Sequence, residues 1–306
     1  MIMLPCLRPV SRRRLWRLAV GFVAALMLAL TAGQAIAATP RHYDELDFPP
    51  LPEVQLPDYE RYQLATGLTV YLAEDRELPL VNGMALIRTG SRLEPAEQVG
   101  LADLTGSVLR SGGTQNHPAD TLNQILEDRA ASIETGIDTA SGYASFDALS
   151  EDLSLVLKLF AEVLQAPAFA DDKLELAKQQ IAGGIERRND DPEEIASREF
   201  RKLLYGDRSP YARTVEYATL ANIERADLVR FYEQSVRPEN LILGLTGDFR
   251  KAEVKALIEE YFGAWQGAAA PPLPPLPTVS TAPQGGVFFV EQPQLTQSLT
   301  VPTTRP

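Results

Sequence analysis

The chain has 306 residues, 29 basic against 41 acidic, a net charge of −12 and a single cysteine, Cys6. So acidic a surface excludes nucleic acid as a partner. With its one cysteine in the leading segment, the rest of the chain has no disulfide, thiolate metal ligand or cysteine nucleophile.

Residues 1–37 are expected to form a secretory signal peptide. Arg8, Arg12, Arg13, Arg14 and Arg17 precede the apolar run Leu18–Leu30, and Ala35-Ile36-Ala37 offers a small-x-small cleavage site. The run falls short of the roughly 20 residues a membrane helix needs, so no stable span is expected after cleavage. Export to a bacterial periplasm is the expectation, with Ser11-Arg12-Arg13 leaving a twin-arginine route as the alternative. Cleavage removes five arginines and no acid, which takes the net charge to −17. That charge would favour basic peptides, though solubility is the simpler reading.

A proline-rich lead-in over 38–59 (Pro49, Pro50, Pro52, Pro57) precedes a domain expected over 60–266. Leu68–Ala73 and Val81–Arg88 are predicted strands flanking a Leu78-Pro79 turn. In Val99–Arg110, Leu101, Leu104 and Val108 recur at one helical face, and Gly112-Gly113 supplies the stop. The opposite face carries Asp103, Gly106, Ser107 and Arg110. A second helix is predicted from Ala119 to Ala131, after Pro118.

Ser132–Asp138 and Gly142–Leu149 read as a β-hairpin. Ser150 is the expected N-cap of the next helix, whose stripe of Leu153, Val156, Leu157, Phe160, Val163 and Leu164 ends at Pro167. Further helices are predicted from Asp171 or Asp172 to Arg188, over Glu193–Tyr205, over Glu224–Ser235 and over Arg250–Phe262. Asn240–Thr246 is a predicted buried strand. Strands mixed with runs of consecutive helices indicate an α+β class with a largely antiparallel sheet flanked by helices. A proline-rich linker is expected over 267–283. Val287–Glu291 and Gln297–Val301 then read as the first strands of a second domain, truncated, over 284–306.

Thr66-Gly67-Leu68-Thr69-Val70, Thr89-Gly90-Ser91-Arg92-Leu93-Glu94, Gly100-Leu101-Ala102 and Gly113-Thr114 together resemble the insulinase/pitrilysin family of zinc peptidases, which includes the mitochondrial processing peptidases. Pro210-Tyr211, Arg237-Pro238-Glu239-Asn240 and Gly247-Asp248-Phe249 extend the resemblance to about residues 60–301. Active members bind zinc through two histidines one turn apart, with a glutamate between them that activates water. The resemblance places Asp103 and Ser107 at the histidine positions and Gly106 at the glutamate position. Ser209 stands where the family's H-P-Y word has its histidine. The family's third ligand, a glutamate on a later helix, falls on Gly184. A plain structural reading of Gly183-Gly184 is a pair that lets two helices approach closely.

No metal and no catalytic residue are therefore expected. His42 and His117 have no partner at ligand spacing, and Ser107 has no histidine or lysine at helical spacing to activate it. The resemblance implies a non-catalytic subunit paired with an active, zinc-bearing homologue. In active relatives an extended peptide substrate adds to a sheet edge, here Ser132–Asp138 with Glu134, Thr135, Gly136 and Ile137 at its centre. The alternatives are a metallopeptidase with unconventional ligands and a stand-alone peptide-binding module.

Overall fold

A computed structural model describes residues 57–267 without a break, residues 286–292, and isolated positions elsewhere. The expected signal peptide, most of the lead-in and linker, and Gln297–Val301 lie outside the described residues, isolated positions apart. Val287–Glu291 is described and forms no strand; Val287 is fully exposed and Phe289 nearly so.

Six strands make one sheet in the order β1-β2-β6-β3-β5-β4. They are β1 Tyr59–Gln63, β2 Thr69–Glu74, β3 Leu80–Ile87, β4 Ser132–Ile137, β5 Gly142–Leu149 and β6 Leu241–Gly247. Of the five pairings only β2 with β6 is parallel. The α+β, largely antiparallel architecture is the one the sequence pattern indicates.

Eight α-helices follow among the described residues: α1 Leu101–Ser111, α2 Ala119–Glu127, α3 Leu153–Gln165, α4 Asp171–Arg187, α5 Pro192–Tyr205, α6 Tyr217–Ala221, α7 Arg225–Ser235 and α8 Lys251–Phe262.

The core lies between one sheet face and the helices. β3 alternates exposed and buried residues along its whole length. Its inward Val81, Ala85 and Ile87 join the buried core, in which Phe146 of β5 meets Phe160 of α3 edge to face at 5.1 Å. Gly83 lies inward too, and Phe146 fills the space that its missing side chain leaves. The other sheet face is open, with Leu80, Met84, Leu86 and Tyr143 exposed.

Four local expectations change. β2 and β3 flank Leu78-Pro79 but do not pair, because β6 enters between them and Val70 and Ala85 both face Leu243. β1 begins at Tyr59, at the end of the expected lead-in; its charged Glu60 and Arg61 conceal the strand period. Ser150 does not cap α3. It opens a 3₁₀ turn, Ser150–Asp152, and its hydroxyl donates to Asp248 Oδ2 at 3.4 Å. The second helix stops at Glu127 because Ala130 takes a left-handed φ of 47°.

Candidate functional site

α1 is the element from which the family's chemistry would come, and its position is fixed from both ends. The Glu94 carboxylate, 6% exposed, accepts from Gly100 N at 3.2 Å and Ala102 N at 2.9 Å. It therefore satisfies two of the orphan donors of the first turn, a task usually given to an N-cap side chain. Burial pushes its pKa up to about 7, against the pull of those two hydrogen bonds and of nearby Arg213. Arg213 in turn donates to the carbonyls of Ser91 and Glu94, at 3.4 and 3.1 Å. At the other end, Thr114 Oγ1 accepts from His117 N at 2.9 Å. The Glu162 carboxylate takes His117 Nδ1 at 2.7 Å and the Thr114 hydroxyl at 3.3 Å. His117 is thus committed to holding the turn after α1.

The face of α1 that would bear zinc is not uniformly open. Asp103 and Ser107 are exposed, while Gly106 between them is buried. A β-carbon on Gly106 would overlap Ile137 N and stand 2.7 Å from the carbonyl carbon of Gly136. Thr135 Oγ1 donates to Gly106 O at 2.6 Å and ties the same two elements together. The glutamate position is therefore filled by the backbone of β4. Glycine at 106 lets helix and strand meet at backbone distance. Asp103 has its pKa raised, first by desolvation and then by the Asp138 carboxylate.

Gly184 lies on the exposed side of α4, and a β-carbon on Gly183 or Gly184 would meet nothing within 4 Å. The structural reading of that pair, close helix approach, is overturned: among the described residues none of another element comes within 4 Å of either β-carbon position. Gly184→Ala should accordingly stabilise the chain by about 0.5–1 kcal/mol through helix propensity alone, checked by urea unfolding. Among the described residues no three His, Cys, Asp or Glu side chains cluster as a metal site would require. Nor, among them, is any helix long and apolar enough to cross a membrane.

The tentative peptide segment is the edge strand β4. Asp138 N donates to Ser141 O at 2.8 Å, so its N–H faces the hairpin partner and the alternation turns the backbone N–H and carbonyl of Ile133, Thr135 and Ile137 to the outer edge. Arg110, from α1, donates through Nε to Ile133 O at 3.0 Å and through another arm to Asn123 Oδ1. Glu134 is exposed on the opposite face, and the ring of Tyr143 lies over Gly136. Sequence reasoning placed Arg110 on the helix face without its partner. It gave no role to Glu94 beyond the family word: the Arg110 contact forms only when the hairpin docks, and the Glu94 contacts form only when the 91–98 turns fold its carboxylate back onto the start of α1.

The fold and site define a peptidase-type α+β domain without the side chains of catalysis. The family profile described as insulinase (peptidase family M16) matches residues 70–214, and that of the peptidase M16 inactive domain matches residues 222–301. An uncharacterized zinc protease of Mycobacterium leprae is 28% identical over 212 residues, 67% of this chain and 46% of that protein. Subunit 1 of the bovine mitochondrial cytochrome b-c1 complex is 23% identical over 226 residues, 72% of this chain and 46% of its own. A crystal structure of a peptidase M16 inactive domain from Pseudomonas fluorescens superposes with a TM-score of 0.66 and 27% identity, over 73% of this chain and 54% of that one. The chain belongs to the insulinase (M16) family, as a degenerate member without the H-x-x-E-H side chains. It spans about half the length of the curated relatives it matches.

Proposed function

We propose that this chain is a non-catalytic subunit, exported to the periplasm, that pairs with a zinc-bearing homologue. In that pair it lends the edge of β4, at Glu134, Thr135, Gly136 and Ile137, to an extended peptide path. The packing of Gly106 on β4 carries the reading: the place of the catalytic glutamate is taken by strand backbone, while the frame around it is kept. Strand addition needs only backbone donors and acceptors and survives the loss of catalysis. The similarity to a subunit of a respiratory complex supports an assembly role over a solitary one.

Co-expression with a homologue carrying an intact H-x-x-E-H word should give a complex that survives gel filtration. A chain that stays monomeric and leaves the homologue's activity unchanged would overturn the pairing. The purified chain alone should hold no stoichiometric zinc. Stoichiometric zinc, with peptide cleavage abolished by a chelator and by Asp103→Ala, would establish the metallopeptidase alternative instead.

A further inference from the structure

We infer that Arg110 is a stop on the edge of β4: an extended segment pairs with the outward groups of Thr135 and is turned away at Ile133. The inference rests on the proposed peptide path and adds where that path ends. Outward backbone groups recur at Ile133, Thr135 and Ile137, as the inward bond from Asp138 N to Ser141 O requires. At Ile133 the acceptor is already taken by Arg110 Nε at 3.0 Å, a charge-assisted bond. The guanidinium is half-buried and its second arm is fixed on Asn123, so it does not swing aside freely. A strand reaching Ile133 would have to displace it. At Ile137 the backbone of α1 presses from Gly106. Thr135 lies between these two contacts and is tied to α1 through its hydroxyl, which leaves its outward backbone N–H and carbonyl to pair. The site thus selects a short register, suited to one end of an extended segment rather than to a long strand running through.

The probe is a capped ten-residue peptide of alternating threonine and lysine, strand-forming and cationic against a chain of net charge −12. Amide hydrogen exchange is followed residue by residue on the full chain. In the wild type, saturating peptide should slow the Thr135 amide and leave the Ile133 amide unchanged. Arg110→Met keeps the apolar stem and removes the donor. It should extend protection to Ile133 and tighten peptide binding by about threefold or more, the worth of one added hydrogen bond. Asn123→Ala frees the second arm and should act in the same direction more weakly. It also carries the test if Arg110→Met does not fold.

Protection of Ile133 in the wild type would overturn the stop. So would an unchanged footprint in both variants. Protection of no β4 amide in any of the three proteins would overturn the peptide path itself, and the stop with it. Those outcomes are distinct from one in which Thr135 responds and only the stop fails.

Discussion

Restoring the family's catalytic word should unfold the chain more readily rather than make it an enzyme. The triple variant Asp103→His, Gly106→Glu, Ser107→His places a side chain at 106, where a β-carbon would overlap Ile137 N and crowd the carbonyl carbon of Gly136. Strand backbone, unlike the tip of a flexible side chain, cannot step aside cheaply. Overpacking of that kind costs about 1–3 kcal/mol, and here the bond from Thr135 Oγ1 to Gly106 O at 2.6 Å would be strained as well. Asp103→His and Ser107→His alone, at exposed positions, should change stability by less than about 0.5 kcal/mol. Urea unfolding of the double and triple variants isolates the Gly106 contribution. Equal midpoints would show that α1 can lift from β4 at little cost. The fourth change, Gly184→Glu, meets open space, so the obstacle to a rebuilt zinc site lies at the base position and not at the third ligand.

What the sequence made legible follows from which forces act locally. The stripe of α3, the alternation of β3 and β5, and the hairpin of β4 with β5 are local periodicities, and each stands within a residue or two of its expected place. The insertion of β6 between β2 and β3 is not local: it joins residues some 170 positions apart and leaves no mark on either partner's pattern. α6 was not anticipated because only Leu220 in it is buried. It is held instead by a capping box between Glu216 and Thr219. The burial of Gly106 was illegible for a similar reason. On a helical wheel it shares a face with exposed Asp103 and Ser107, and only the arrival of β4 divides that face.

The surviving family words have backbone tasks, which explains why they outlast the chemistry. Gly90 has φ 146°, and a β-carbon on it would overlap the Thr139 carbonyl, while the next residue, Ser91, donates its N–H to Asp138 O at 2.9 Å. That word docks the loop before α1 onto the end of the hairpin. Gly247 has φ 137° and would crowd Val81 Cα at 2.7 Å, which brings Asp248 N to Leu80 O at 2.9 Å. Asn240 donates to Ser235 O and its own carbonyl accepts from Arg88 N. The frame is kept by demands of folding that act whether or not zinc is bound. The three lost ligand positions, Asp103, Ser107 and Gly184, are exposed, where folding asks for no particular side chain, while the lost base position, Gly106, is buried against β4, where only glycine fits. A subunit selected for assembly would show this division between kept and lost residues.

Stability should be greatest near pH 5 and fall as the solution is made neutral, and Glu94 is the main cause. Its pKa stands at about 7 in the folded chain against an ordinary 4.5, because burial penalises the carboxylate more than its two helix donors favour it. The folded state therefore binds this proton more tightly than the unfolded state does. Its contribution is fully present below the unfolded pKa, is lost as pH rises through the folded value, and changes no further above it. The gap corresponds to about 3 kcal/mol at most, spread between roughly pH 4.5 and 7.5. Asp103, also raised, adds a slope of the same sign. Glu199 and Glu216 are lowered by Lys202 and Arg188 respectively, and they oppose it only in more acid solution, where their loss of charge limits stability. Glu94→Gln removes the titration while keeping one acceptor for the first turn of α1. It should flatten the midpoint of urea unfolding between pH 5 and 7.5, at a cost of about 1 kcal/mol near pH 5. Glu94→Ala orphans both Gly100 N and Ala102 N and should cost about 1–3 kcal/mol at every pH. A wild-type midpoint that rises from pH 5 to 7, or a Glu94→Gln variant with the wild-type slope, would show that the buried carboxylate is not the group that titrates.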